Sequence, residues 1–126
     1  MKKWIGCGAG LLAVVLLAGG GLLQADEDLD SLKVCKDTQK LIFENAFVRI
    51  IDDRIPPGVA EPKHQHRHGV TVWINDYDAE QVVYPEGKKS TSHRVGGTAA
   101  WSEAVAHTVR NAGKTESHTI RIELKQ

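Results

Sequence analysis

The chain has 126 residues, with 16 lysines and arginines set against 16 aspartates and glutamates. That length gives room for one small domain. With no basic stripe and no acidic tail, the composition argues against a nucleic-acid partner and against function by long-range electrostatics.

Met1-Lys2-Lys3 is a short positive start, followed by apolar and small residues over 4–23 with an unbroken apolar core over 11–18. Leu23-Gln24-Ala25 then precedes the acidic Asp26-Glu27-Asp28. This order predicts a secretory signal peptide over 1–25, cleaved after Ala25, and hence a periplasmic or secreted protein with no stable membrane association. The alternative is an uncleaved anchor over 5–23, long enough to span a bilayer but diluted by six glycines. Cleavage would leave 14 basic against 16 acidic residues and one cysteine, Cys35, so no internal disulfide could form. Cys35 reads as a small buried hydrophobe.

Residues 26–40 are polar and carry no strong period, which predicts a loosely attached leader ahead of a domain over 41–126. From Leu41 the pattern is β. Leu41-Ile42-Phe43 and Phe47-Val48-Arg49-Ile50-Ile51 are apolar or β-branched runs separated by a turn at Asn45. Ile55-Pro56-Pro57-Gly58 ends the second run. Strands follow over 70–74, 80–84, 89–95, 99–101, 106–110 and 118–124, divided by Asn75-Asp76-Tyr77-Asp78, Pro85-Glu86-Gly87-Lys88, Gly96-Gly97 and Asn111-Ala112-Gly113-Lys114. The last strand sets His118, Ile120, Ile122 and Leu124 on one side and Thr119, Arg121 and Glu123 on the other. Many short strands with turns between them, and no apolar 3.6-residue period over 26–126, predict an all-β sandwich or barrel.

His64, His66 and His68 alternate along one stretch of this β-structure, and His107 lies some forty residues on. Alternate positions of a strand share a face, and neutral imidazole is the commonest protein ligand for first-row transition metals. The local spacing is more specific. Gly58, five residues, His64, one residue and His66 reproduce G-x5-H-x-H. Gly96, His107 and Asn111 fit G-x5-P-x-G-x2-H-x3-N, with Ser102 and Ala104 at its proline and inner glycine. On these motifs the chain resembles a small single-domain cupin over roughly residues 41–124.

The resemblance implies a jelly-roll barrel (double-stranded β-helix) of six to eight strands, with metal and substrate in its open mouth. It makes His64, His66 and His107 the metal-binding histidines. The metal would be a divalent transition ion, with Fe, Mn, Zn, Ni and Cu all suited to imidazole by degrees. Where cupins of the three-histidine, one-carboxylate type carry a glutamate, this chain has Thr71. Either three histidines suffice or His68 leans in as a fourth ligand; otherwise His68 is a residue behind the ligands, at the mouth or on the surface. Glu61 reads as a rim residue, Tyr77 and Tyr84 as rim candidates, and Asp52-Asp53 as a solvated pair at a strand end. Thr71, Trp73 and Trp101 are candidate pocket residues. There is no phosphate loop, nucleophile elbow or C-x-x-C pair. Two functions stand: a metal-dependent oxygenase, isomerase or lyase acting on a small organic molecule, or a non-catalytic module holding a small ligand or the metal. The family also makes a homodimer a candidate assembly.

Overall fold

Turns divide the described residues, 27–126, into a 3-10 turn (Glu27–Leu29), a short α-helix and nine strands in this computed structural model. The predicted signal peptide, or the alternative anchor, lies outside the described residues. The helix is α1 (Ser31–Val34), and the strands are β1 (Gln39–Glu44), β2 (Val48–Ile55), β3 (Ala60–His66), β4 (Gly69–Trp73), β5 (Tyr77–Tyr84), β6 (Lys88–Arg94), β7 (Thr98–Ser102), β8 (Val105–Asn111) and β9 (Ser117–Leu124). They form two sheets, ordered β1-β2-β9-β4-β7 and β3-β8-β5-β6, with every pairing antiparallel. Residues of both sheets line one interior cavity, so the sheets are the two walls of a barrel.

The chain before β1 is no loose leader. Asp30 caps α1 by accepting from Leu32 N, and its carboxylate meets Arg49 Nη1 at 2.7 Å. Ser31 and Cys35 are buried. One turn of helix is too short to show a period in sequence, and polar anchors hold it rather than an apolar face. The histidine run also departs from a single regular strand. β3 stops at His66, and β4 starts at Gly69 in the other sheet.

Register decides which side chains face inward. In the five-stranded sheet, the row Leu41–Ile51–Arg121–Thr71–Ala100 faces the interior, and the next row, Phe43–Ile50–Ile122–Val70–Trp101, faces out. β9 alternates as its sequence predicts. The set it buries is Ser117, Thr119, Arg121 and Glu123, while Ile120, Ile122 and Leu124 are half-buried on the outside. A polar interior is tolerable because most of its groups find partners within it; Arg121 Nε and Asp53 Oδ1 are buried without one.

The motif residues that carry no metal-ligand chemistry hold this frame together. Gly58, at φ +77°, donates its N–H to the Asn111 carbonyl at 2.8 Å. The fully buried Asn111 amide donates to the Ile55 and Thr115 carbonyls and accepts from Gly113 N. Gly69 is where β4 crosses closest to β9. A Cβ there would lie 2.0 Å from the Ile122 carbonyl oxygen. Gly69→Ala should therefore destabilise the fold by about 2–4 kcal/mol, read as a lower urea midpoint with an unchanged slope.

Candidate metal centre

β3 and β8 are paired so that His64 sits directly opposite His107, with His66 two residues further along β3. Side chains two apart on a strand share a face, so three imidazoles converge on the interior. His64 Nε2 lies 3.1 Å from His66 Nε2 and 3.1 Å from His107 Nε2. His64 is fully buried and His66 nearly so.

Hydrogen bonds on the far side of two rings fix their tautomers. His64 Nδ1 lies 2.8 Å from the Pro62 carbonyl, and a carbonyl can only accept, so Nδ1 carries the proton. His66 Nδ1 donates likewise to Glu123 Oε1 at 2.7 Å. In their neutral forms both rings then present a bare Nε2 lone pair to each other at 3.1 Å. No hydrogen bond can form between two acceptors. Burial, and then the neighbouring His66, lowers the pKa of His64. Burial, followed by His66 and His64, holds that of His107 well below the ordinary imidazole value. Neutral rings keep their lone pairs free for an ion.

Glu123 organises the far side. It is fully buried; Oε1 takes His66, and Oε2 accepts from Arg49 Nε at 2.5 Å. Burial opposes its ionisation, but the bonds from His66 and Arg49 outweigh that and hold its carboxyl below the ordinary carboxylate range.

The candidate fourth-ligand position carries no carboxylate and is occupied from elsewhere. Thr71 Oγ1 accepts from Arg121 Nη1 at 3.0 Å, and Ser102 Oγ accepts from the same nitrogen at 2.9 Å. Arg121 Nη2 also donates to the Arg67 carbonyl. His68 turns to another neighbour, its ring centre 5.7 Å from that of Trp101; the converging nitrogens come from His64, His66 and His107. Thr71, Trp73 and Trp101 all border a cavity of about 460 Å³ that His66 and His107 also line. Trp73 packs under the Arg94 guanidinium at 4.8 Å, whereas Trp101 is 53% exposed and donates to Glu103.

Two carboxyls read as exposed are inside. Glu61 is 3% exposed rather than on the rim, and Oε2 lies 3.6 Å from His64 Nε2. Its Oε1 accepts from Thr38 and, at 3.0 Å, from Gln39 Nε2. Asp53 also lines the cavity. Burial, and then adjacent Glu61, raises its pKa well above the usual carboxylate value. The Asp52-Asp53 pair is thus split by strand alternation, Asp52 outward to Arg54 and His118 and Asp53 inward. Alternation along the Val48–Ile55 run is the sequence signal for Asp53. For Glu61 the bulge between Glu61 and His64 hides it. Tyr77 is buried and lines the cavity rather than its rim, and burial raises its pKa.

The donor set fits a transition-metal ion. Three ring nitrogens lie within 4.8 Å of one another, and 3.1 Å is close to the separation of two nitrogens bound to one ion at about 2.1 Å. The facing lone pairs of His64 and His66 cannot satisfy each other, and an ion between the rings would take both. Glu61 groups instead with His64 and Cys35. Burial, with Glu61 and Asp53 close by, pushes the Cys35 thiol up, which keeps it from thiolate chemistry.

Barrel, motif and histidine triad together make this chain a single-domain member of the cupin superfamily. A cupin domain from Bordetella pertussis Tohama I is similar at 29% identity and a TM-score of 0.64, covering 70% of this chain and 92% of its own. An RmlC-like cupin from Methanocaldococcus jannaschii aligns at 12% identity and a TM-score of 0.57, over 68% of this chain and 77% of its own. KdgF from a Halomonas species aligns at 15% identity and a TM-score of 0.52, over 70% and 77%. The last two share the fold. No protein-family model matches the chain, and no curated protein matches it in sequence.

The depressed imidazole values have a stability consequence. In the unfolded chain a histidine titrates near 6.5, so below that pH the unfolded state takes up protons that the folded state refuses. Stability from His64 and His107 is full above about pH 6.5 and is lost as the pH falls, by up to about 1.4 kcal/mol per pH unit for each ring. The raised Asp53 acts in the opposite direction, so the histidine share is read by difference. In metal-free protein between pH 7.5 and 5, urea unfolding should weaken more steeply in wild type than in His107→Gln.

Proposed function

We propose that this protein is an exported, metal-dependent cupin that takes a small organic molecule into its cavity and acts on it by proton transfer, as an isomerase or lyase. The observation that carries the reading is the convergence of three Nε2 atoms, those of His64 and His66 bare, beside a cavity lined by His66, His107 and two adjacent carboxyls, buried Glu61 and half-buried Asp53. The metal's identity stays among Fe, Mn, Zn, Ni and Cu, since imidazole alone does not choose between them.

When bound, a divalent ion would act as a Lewis acid toward a carbonyl or hydroxyl of the substrate. His64, His66 and His107 would hold it, and Glu123 and the Pro62 carbonyl keep two of the rings aimed. Glu61 Oε2, the oxygen that Thr38 and Gln39 leave free, is placed to take a proton beside His64, and Asp53 to share it. Arg94 and Arg121 line the cavity, and among the described residues neither makes an ion pair, which favours a substrate with an acidic group. Trp73 and Tyr77 supply flat apolar wall. Such a general base favours isomerase or lyase chemistry over oxygenation.

A second reading, a module that holds a metal or small ligand without turnover, is favoured by the double hydrogen bond that ties down Glu61 Oε1. Elemental analysis of protein purified from its exported fraction should find about one transition-metal ion per chain, and none in a His64→Ala/His107→Ala variant. Equal, negligible metal in both would contradict the site. Full metal with no loss on the double substitution would place the ion elsewhere.

A further inference from the structure

Strand β6 turns Ser90, Ser92 and Arg94 toward the interior and Thr91 and His93 outward. Arg94 stands opposite buried Tyr77 of β5, and its guanidinium lies 4.8 Å from the centre of the Trp73 ring. Trp73 belongs to the other sheet, so the half-buried cation reaches from one wall of the barrel to the other. Arg94, Trp73 and Tyr77 line the same cavity as His66 and His107. Among the described residues Arg94 forms no ion pair and no side-chain hydrogen bond. The indole face offsets part of its desolvation, but a π-face takes none of its N–H donors. The whole fork is left for a ligand.

The second guanidinium of the cavity is different. Arg121 is 4% exposed, and its two terminal nitrogens already donate to Thr71, Ser102 and the Arg67 carbonyl. Only Nε is left without a partner. One N–H cannot grip an anion through two parallel bonds, so Arg121 is a strut with a single spare donor.

A free guanidinium fork matches a flat, two-oxygen anion, which is a carboxylate. A phosphate brings further oxygens that need further donors, and no lysine lines the cavity. The cavity, about 460 Å³, is sized for a small organic acid. β6 is also the last strand of its sheet, so among the described residues no further strand shields Arg94 on that side.

We propose that Arg94 selects the substrate: it grips one carboxylate of a short hydroxy- or oxo-acid and holds the rest of the molecule toward His66 and His107. This rests on the reading of the cavity as a substrate site. It assigns the anion to Arg94 rather than to Arg121.

Isothermal titration calorimetry of the purified protein, metal-free and with one equivalent of Zn(II), tests it with malate, the neutral diamide of malate and inorganic phosphate. Malate should bind both forms, and the diamide and phosphate about tenfold more weakly or worse. Arg94→Lys keeps the charge but loses the fork, and should weaken malate about tenfold; Arg94→Gln should weaken it about a hundredfold. Far-UV circular dichroism and Zn(II) stoichiometry should be unchanged in both variants. If Arg94→Gln does not fold, Arg94→Lys carries the comparison. Malate binding that ignores both substitutions, a preference for phosphate or the diamide, or no malate binding overturns the inference. Arg94 is no metal ligand, so the two readings fail separately. Loss of malate with Arg94 in a protein that takes up no Zn(II) upholds this inference and sinks the metal site. Zn(II) uptake with malate binding indifferent to Arg94 does the reverse.

Discussion

Glu123 is a carboxylate with no exposure to water, and it stays ionised because His66 and Arg49 each take one of its oxygens. A buried carboxylate stripped of either partner would be costly, so the partners are held as firmly as the acid. Through Arg49 the chain of contacts reaches Asp30 and so the cap of α1. Through His66 it reaches the converging nitrogens. One side chain on β9 thus ties the N-terminal helix, β2 and β3 to the orientation of the His66 ring.

That choice governs the rest of the barrel. Placing Glu123 inward forces Arg121 and Thr119 inward as well, because a strand repeats every two residues. Arg121 then needs acceptors, and Thr71 and Ser102 supply them. The hydroxyl at position 71 is therefore more than the loss of a carboxylate: it anchors a guanidinium where a glutamate would have stood. Carboxyls line the cavity elsewhere, Glu61 on the opposite wall and Asp53 on β2 of the same sheet as Thr71. The same alternation turns Ile120, Ile122 and Leu124 outward, so a polar interior and an apolar outer face have one cause.

Much of this was legible in the residues. Turn signals and β-branched runs located most strands, and the two glycine-histidine motifs named the three rings that the structure brings within 3.1 Å contacts of His64. The alternation of β9 was legible too. Which side faces inward was not, since polarity along one strand does not say what the opposing wall can satisfy. Glu61 was hidden by the bulge before His64, which breaks the two-residue count. His68 looked in phase with His64 and His66 only as long as one strand was assumed; the chain changes sheet at Gly69. The docked helix α1 was invisible because a single turn has no period to read.

The central claim is that His64 and His66 are locked with Nδ1 protonated and Nε2 bare, ready for one ion. Nitrogen-15 NMR of the imidazoles tests it directly, in metal-free protein and after one equivalent of Zn(II). The account predicts Nδ1–H tautomers for both rings without metal, and Nε2 shifts of His64, His66 and His107 that saturate together at one equivalent. Nε2–H tautomers in the metal-free protein, or ring signals unchanged by the ion, would contradict it.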